Sequence, residues 1–381
     1  MSTSFIHPLD TRKKIEAMNS VKFWRDFPEQ CQDALRRSRE LKIPDRVQVS
    51  SGLSVEYGKP REVLIVGMGG SAIGGEILKD WLSGSLRVPL EICRDYQIPV
   101  YAGRKSLVIA VSYSGNTEET LDSFLEAVSR GCMTVAVTSG GMLRDLCEEM
   151  GIPKVLVPEG MIPRSAIAYL FFPLIVILEK SGLISGIEDE VNEAVQILGR
   201  IRDEVVAEVP ITQNRSKQVA AALSDGIPVF YGDRYSRAIA YRSRTQANEN
   251  SKLLALSGFL SEIDHNDVLG WEAPAEFTNR FSVVFLRTAD DIEEMRLRTD
   301  ITRDLIADKA MRITEVFPEG ESTLARMLSV MYVVDVASIY LAVMNGVDSM
   351  SMRSITDLKS RLDDQTRSSN RLREKAKALL G

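Results

Sequence analysis

The chain has 381 residues, 44% of them hydrophobic, a length that normally forms two or three domains with sizeable cores. Its net charge is −6 and it has no long basic run, which excludes the electrostatic footprint of a nucleic-acid-binding protein. The N-terminus lacks the apolar core of a secretion signal, and the longest apolar run, residues 166–178, is too short to span a membrane. The four cysteines show no paired spacing, so we expect a cytoplasmic protein with unpaired thiols. With two histidines and no Cys-x-x-Cys motif, no zinc site is expected.

The pattern along the chain predicts five segments. Residues 1–58 contain amphipathic patterns that predict an N-terminal helical lead-in. Residues 59–182 alternate short β-branched runs with helical patterns, which is typical of a doubly wound parallel sheet. Residues 183–225 predict two bridging helices, and residues 226–363 a second α/β domain. The polar residues 364–381 predict a loosely attached helical tail.

A glycine-rich loop, GMGGSAIGG, follows the first strand predicted in this sheet. Gly67, Gly69 and Ala72 match the spacing of dinucleotide-binding folds, so an enzyme that uses nicotinamide or flavin is a rival hypothesis. Gly69 and Gly70 would let the backbone approach a ligand closely, and Ser71 adds a hydroxyl group. The alternative is that these glycines serve only tight packing of the following helix.

A second loop, SYSGNTEET, lies between a predicted buried strand and a helical pattern. Ser112, Ser114 and Thr117 could join free N–H groups at the helix N-terminus in binding an anion such as phosphate. On this loop alone, simple capping of the helix is the favoured alternative. Because both loops would leave the carboxyl ends of neighbouring parallel strands, the pair predicts one phosphate held from two sides.

The two loops together resemble the sugar isomerase (SIS) domain, an α/β sandwich that binds phosphosugars. The segments PRSAIAYL, NENSK and IDHND narrow the resemblance to the bifunctional phosphoglucose/phosphomannose isomerases of archaea and some bacteria, over residues 62–362. The resemblance implies an α/β fold of two SIS-type αβα sandwich domains, each with a mainly parallel five-stranded sheet. It also implies a homodimer with shared active sites that interconverts an aldose 6-phosphate and fructose 6-phosphate without a metal or other cofactor.

Four residues of this chain match catalytic residues of that family. Moving a proton between C2 and C1 of the sugar needs a base, and Glu249 resembles the family's carboxylate. The resulting cis-enediolate is best stabilised by a guanidinium group, and Arg164 matches the family's arginine. His265 matches the histidine that opens the sugar ring from the partner subunit, and Lys359 matches a late lysine near the ring oxygen and phosphate. Taken without the resemblance, each could be an ordinary surface residue.

Met352 is the place where this sequence departs from the family. Seven residues before the late lysine, enzymes that accept both aldoses carry a small threonine, whereas glucose-specific ones carry a glutamine. Met352 is long but flexible, so we expect both glucose and mannose 6-phosphate to react, with mannose 6-phosphate the poorer substrate. The runner-up function is a phosphosugar sensor without catalysis, which would need neither Glu249 nor His265. An NAD(P)-dependent oxidoreductase is the third hypothesis.

Overall fold

The structure is a computed structural model that describes Leu9, residues 20–288 and residues 292–381. The chain divides into two compact units. The first-sheet unit consists of Glu29–Ile187 and Met352–Gly381, and the second-sheet unit consists of the described residues up to Pro28 and of Glu188–Ser351. His7 and the first part of the predicted helical lead-in lie outside the described residues.

The described N-terminal segment contains two helices and then a hairpin. The helices are α1 (Ser20–Arg25) and α2 (Phe27–Arg39), and the antiparallel hairpin joins β1 (Arg46–Ser50) to β2 (Leu53–Glu56). The predicted helical lead-in of residues 1–58 is therefore wrong at residues 46–56, which form this hairpin. Val47 and Val49 alternate with polar residues and are buried, which is the period-2 pattern of a strand with one covered face.

The first-sheet unit is built on five parallel strands. They are β3 (Glu62–Val66), β4 (Leu90–Cys93), β5 (Ser106–Ser112), β6 (Met133–Thr138) and β7 (Lys154–Leu156), in the spatial order β4–β3–β5–β6–β7. The helices of this part are α3 (Gly70–Trp81), α4 (Glu118–Ser129), α5 (Gly141–Met150) and α6 (Ile167–Lys180). Every residue of β5 and β6 is buried, as expected where helices cover both faces of a parallel sheet. The predicted parallel α/β fold is confirmed here.

The second-sheet unit has four parallel strands in the described residues, one fewer than the five predicted. They are β8 (Ile227–Gly232), β9 (Leu256–Phe259), β10 (Phe281–Leu286) and β11 (Arg312–Val316), in the order β11–β10–β8–β9. The count of five came from the resemblance and not from hydrophobic runs in this segment. After β11 the chain continues into a long helix, so no further β-branched run is available for a fifth strand.

Besides α1, seven helices between Glu188 and Asn345 accompany this sheet in the described residues, and one of them forms much of the core. They are α7 (Glu188–Val205), α8 (Arg215–Leu223), α9 (Arg237–Asn250), α10 (Asp267–Gly270), α11 (Ala275–Thr278), α12 (Glu293–Ile306) and α13 (Thr323–Asn345). Helix α13 is long and apolar enough to cross a membrane, but 89% of its most apolar window is buried inside the protein. It packs against α7, α8 and α9, which is the environment of a core helix.

The C-terminal segment forms two helices, α14 (Arg353–Thr366) and α15 (Ser368–Leu380), in the first-sheet unit. Helix α14 buries none of its residues, whereas α15 packs on α4 and β1. Leu372 and Ala376 are each 2% exposed and belong to the core beside the first sheet. The prediction of a loosely attached tail is therefore wrong, because apolar residues four apart give α15 a face that the core covers. The sequence analysis assigned residues up to 363 to the second domain, whereas the C-terminal part of the first-sheet unit begins at Met352.

Candidate active site

The glycine-rich loop and the hydroxyl-rich loop leave the carboxyl ends of β3 and β5, which are neighbouring parallel strands. A Cβ atom on Gly67 would lie 2.8 Å from the carbonyl oxygen of Val111, so only glycine allows this approach of the two segments. The Oγ of Ser71 accepts a hydrogen bond from the backbone N–H of Tyr113 at 3.2 Å. The two loops that sequence analysis predicted to be neighbours are therefore directly bonded to each other.

Two adjacent residues of the glycine-rich loop must be glycine for different structural reasons. Gly69 has φ +51° and ψ −123°, a conformation that residues with a side chain rarely adopt. Gly70 has an ordinary φ, but a Cβ there would lie 3.0 Å from the carbonyl carbon and oxygen of Pro163 and 3.1 Å from the backbone nitrogen of Arg164. The backbone turn that carries Arg164 therefore lies directly against the glycine-rich loop.

The hydroxyl groups of the second loop have distinct environments. Ser112 is buried, and its Oγ donates to Thr117 Oγ1 at 3.0 Å and accepts from the N–H of Gly115 at 3.1 Å. Ser114 is exposed, and Thr117 precedes α4 without making a side-chain capping hydrogen bond. The alternative that these side chains only cap helix α4 is therefore wrong. Ser112 holds the loop in shape, and the N-terminus of α4 lacks a capping side chain, as in helices that bind anions.

Tyr113 links the two loops to the segment before Arg164, and sequence analysis did not single it out. Its hydroxyl donates to the carbonyl oxygen of Pro158 at 2.8 Å and accepts from the N–H of Met161 at 2.9 Å. Burial raises the pKa of the Tyr113 hydroxyl, so the group keeps its proton and both hydrogen bonds near neutral pH. The only sequence signal was an aromatic residue inside a loop of small polar ones.

Arg164 lies in a short 3₁₀ turn, Pro163–Ser165, at the start of α6, and it is 2% exposed. The alternative of a surface arginine is therefore wrong. A Cβ on Gly74 would lie 2.9 Å from the carbonyl oxygen of Leu170, so α3 and α6 pack closely and fix the turn from the other side. Arg164 thus puts a buried, positively charged residue on a turn whose backbone lies against the glycine-rich loop, and a guanidinium group is suited to an anionic substrate or transition state.

Glu249 lies in the last turn of α9, in the second-sheet unit, and is half-buried. The residues after it are anchored to α13 and to the segment that follows it. The amide of Asn250 donates to Ser338 Oγ at 2.9 Å, and the hydroxyl of Ser251 donates to the carbonyl oxygen of Ser338 at 2.7 Å. The ammonium group of Lys252 donates to the carbonyl oxygen of Ser351 at 2.9 Å. These bonds restrict the position of Glu249, as a proton-transferring group requires.

Helix α9 is also held to α13 by buried polar contacts. An ion pair lies about two turns before Glu249, and a hydrogen bond lies about one turn before it. Arg242 Nη2 lies 2.9 Å from Asp335 Oδ2 on α13, and both side chains are almost completely buried. The amide of Gln246 donates to Asp335 Oδ1 at 3.1 Å. Arg242, Gln246 and Asn250 are spaced by four residues, so they form one polar stripe facing α13. That spacing was visible in the sequence, but the buried partner on α13 was not.

His265 ends a short 3₁₀ turn, Glu262–His265, and its side chain is exposed. The turn is fixed by the two residues before the histidine. Ile263 is buried in the core of the second-sheet unit. Asp264 accepts a hydrogen bond from Thr302 Oγ1 at 2.8 Å and forms an ion pair with Arg298 at 3.2 Å. The histidine is thus an exposed group on an anchored turn, which suits reaction with a ligand supplied from outside the unit.

Lys359 and Met352 lie in the first-sheet unit with the two loops. Met352 directly precedes α14, and Lys359 is exposed on that helix. Met352 is the N-cap residue, and Lys359 lies about two helical turns beyond it. Glu249 and His265 belong to the other unit. The catalytic roles of all four residues, and of Arg164, stay predictions.

The loop after β8 repeats the layout of the glycine-rich loop but contains a carboxylate. Ser236 follows Gly232 by four residues, as Ser71 follows Gly67, and its Oγ donates to the carbonyl oxygen at the end of β10 at 2.9 Å. Asp233, 2% exposed, accepts hydrogen bonds from the backbone N–H groups at the start of α9 at 3.2 Å.

Asp233 also binds the end of the neighbouring strand. Its Oδ2 accepts from the backbone N–H of Thr288 at 3.1 Å and from Thr288 Oγ1 at 2.8 Å. The loops of the second sheet therefore already hold an anion that belongs to the protein. The glycine-rich loop of the first sheet has Met68 in place of Asp233, followed by Gly69 and Gly70, so no carboxylate occupies it and it is the better candidate for a phosphate site. In the described part of the chain, no three His, Cys, Asp or Glu side chains are grouped to hold a metal ion.

Comparisons with known proteins place the chain in a family. Residues 212–362 match the family model described as the bacterial phospho-glucose isomerase C-terminal SIS domain. A bifunctional phosphoglucose/phosphomannose isomerase of Caldicellulosiruptor bescii is 35% identical over 338 residues, covering 88% of this chain and 97% of that protein. The enzyme of the same name from Thermoplasma acidophilum is 34% identical over 327 residues, covering 85% and 97%.

Solved structures agree on the fold. A hypothetical protein from Thermus thermophilus superposes with a TM-score of 0.70, at 16% identity, over 93% of each chain. At that identity the likeness supports the α/β fold alone. The sequence similarity goes further, because it spans nearly the full length of relatives that share one name. The chain therefore belongs to the family of bifunctional phosphoglucose/phosphomannose isomerases.

Proposed function

We propose that this protein is a metal-independent aldose–ketose isomerase that interconverts glucose 6-phosphate, and also mannose 6-phosphate, with fructose 6-phosphate. Family membership supports the reaction. The observation that carries the proposal for this chain is the joining of three segments in the first-sheet unit. Ser71 binds Tyr113, Tyr113 binds Met161, and Gly70 contacts the backbone of Arg164.

In this proposal the substrate phosphate binds the two loops of the first-sheet unit. Gly69 and Gly70 supply close backbone approach, and Ser114 and Thr117 supply hydroxyl groups at the N-terminus of α4. Ser71 and Ser112, which sequence analysis grouped with the phosphate contacts, mainly fix the shape of the loops through their own hydrogen bonds.

The chemical steps are assigned to charged side chains. His265 protonates the ring oxygen and accepts the proton of the anomeric hydroxyl, which opens the ring. Glu249 then removes the C2 proton of the aldose and returns it to C1, while the hydroxyl proton passes from O2 to O1, giving the ketose. Arg164 stabilises the oxyanion of the cis-enediolate formed between these steps. Lys359 lies near the ring oxygen and phosphate.

The proposal includes a cytoplasmic homodimer in which His265 comes from the partner subunit. An exposed histidine on a turn fixed by Ile263 and Asp264 is consistent with that delivery. The two SIS-type αβα domains of the proposal are those predicted at residues 59–182 and 226–363, with the second now ending at Ser351. A phosphosugar sensor is the weaker alternative, because it has no need of a carboxylate on a segment as firmly anchored as Glu249 and the residues after it.

Paired variants test the assignment. Glu249→Gln should lower kcat by about 10²-fold or more and leave KM nearly unchanged, since it removes proton transfer and not phosphate binding. Ser114→Ala should act mainly on KM, since it removes a contact made in the ground state as well. Glu188→Gln, at an exposed glutamate of α7, is the matched control and should leave both constants unchanged.

The measurement is the formation of glucose 6-phosphate from fructose 6-phosphate in a coupled assay, with the folding of each variant checked by its thermal midpoint. Glu249→Gln with near wild-type kcat would reject Glu249 as the base. Binding of fructose 6-phosphate without any turnover by the wild-type chain would favour the sensor.

A further inference from the structure

Helix α15 carries two cations that bind carboxylates on the helix following the hydroxyl-rich loop. Arg371 Nη2 lies 2.6 Å from Asp122 Oδ2 and 3.2 Å from Glu118 Oε1. Lys375 Nζ lies 2.8 Å from Asp122 Oδ1. The side chain of Asp122 is only 4% exposed, whereas those of Arg371 and Lys375 are 51% and 41% exposed, so two solvent-exposed cations cover a buried carboxylate. Burial of Leu372 on the same helix keeps α15 in place over α4.

The two carboxylates are badly placed for a phosphate site unless they are neutralised. Glu118 is the first residue of α4 and directly follows Thr117, and Asp122 lies about one turn further along. A hexose phosphate bound at this helix N-terminus carries close to two negative charges at neutral pH. Acidic side chains in the first turn interact favourably with the helix dipole. They also repel a phosphate bound there, and physiological salt screens this repulsion little at such short distances.

Resting on the proposed function, we infer that α15 is an electrostatic support for the phosphate site. Arg371 and Lys375 neutralise Glu118 and Asp122, and they thereby strengthen the binding of the sugar phosphate by the loop before α4. They are positioning residues, because they act through the carboxylates and not on the reacting atoms. Helix α15 lies beyond the residues 212–362 that the family model matches, so this support is separate from the SIS domain that the model describes.

An electrostatic role and a purely structural role of Arg371 and Lys375 predict different effects of substitution on stability and on phosphate binding. If the cations only held α15 in place, their loss would lower stability, and deleting the carboxylates as well would not help. If they act by charge, their loss weakens phosphate binding, the loss depends on salt, and deleting the carboxylates restores binding. Arg373, exposed on the same helix and without an ion pair in the described residues, offers a control for the removal of one positive charge.

The experiment compares KM and kcat for fructose 6-phosphate in three proteins. The variant with both Arg371→Met and Lys375→Met should raise KM about threefold to tenfold at low ionic strength and change kcat by less than about twofold. The increase should shrink at about 0.5 M salt, where exposed charges are strongly screened. Arg373→Met should leave KM near the wild-type value. If the double variant does not fold, the single variant Arg371→Gln replaces it, with an expected KM increase of about twofold.

Rescue decides between the two roles. Adding Glu118→Gln and Asp122→Asn to the Met variant should return KM to within about twofold of wild type, because the uncompensated carboxylates are then gone. An unchanged KM in the folded Met variant, or a raised KM that this rescue does not lower, would overturn the inference. A wild-type chain that does not isomerise fructose 6-phosphate would instead reject the proposed function.

Discussion

Gly70→Ala tests whether contact between the glycine-rich loop and the turn of Arg164 matters for catalysis. The added methyl carbon would lie 3.0 Å from the carbonyl carbon and oxygen of Pro163 and 3.1 Å from the nitrogen of Arg164. Ordinary contacts between such atoms are about 3.5 Å or longer, so the turn must move by roughly 0.5 Å. Because all three neighbours are backbone atoms, no side-chain rotation relieves the contact.

A displacement of this size has calculable consequences. A misplacement of about 1 Å can cost about 10²-fold in rate, so roughly 0.5 Å should cost about tenfold in kcat/KM. Overpacking of one methyl group should lower the free energy of unfolding by about 1 to 3 kcal/mol. Both effects come from one shifted peptide, and we expect them together.

The assay is the coupled conversion of fructose 6-phosphate, combined with equilibrium unfolding in urea. Gly199→Ala is the matched control, since a Cβ at Gly199 in α7 would meet no atom within 4 Å. That variant should be as active as wild type and slightly more stable, because alanine favours the helix. A folded Gly70→Ala protein with wild-type kcat/KM would refute the reasoning, because it would show that the position of the Arg164 turn does not limit the reaction.

Three further predictions concern other parts of the chain. Asp233→Ala should lower the free energy of unfolding, measured in urea, by about 2 to 4 kcal/mol, because it leaves buried donors without their acceptor; a change below about 0.5 kcal/mol would contradict this. An inactive His265→Ala chain mixed with an inactive Glu249→Gln chain should regain activity in a heterodimer, and subunit exchange without recovery would place His265 outside a shared site. Mannose 6-phosphate should have a lower kcat/KM than glucose 6-phosphate, and Met352→Thr should raise it; a variant that leaves the ratio unchanged would show that Met352 does not set the preference.

The sequence was sufficient to predict a helix or strand where the hydrophobic pattern of that element alone identifies it. Buried parallel strands such as β5 consist of continuous β-branched and apolar residues, so their positions could be predicted directly. The edge strand β9 was missed because it is short, contains Gly258, and leaves Leu256 52% exposed. The hairpin in the N-terminal segment was missed because only three buried valines mark it among polar residues.

Contacts between distant segments could not be predicted in the same way. The glycines and hydroxyls of the two loops were recognisable from their type, but the role of Tyr113 depends on two backbone groups about fifty residues away. In the sequence Asp233 is an ordinary polar loop residue, because its hydrogen bond with Thr288 joins segments that are far apart along the chain. The docking of α15 depends on Asp122, whose burial is a property of the fold and not of its neighbours in sequence.

The most direct test of the central claim is a single assay on the unaltered chain. Fructose 6-phosphate is supplied, and glucose 6-phosphate is measured by a coupled dehydrogenase, with and without excess EDTA. The account predicts isomerisation at the same rate in both conditions, because proton transfer by Glu249 and charge stabilisation by Arg164 do not require a metal. Absence of product, or activity that is lost with EDTA and restored by zinc, would contradict it.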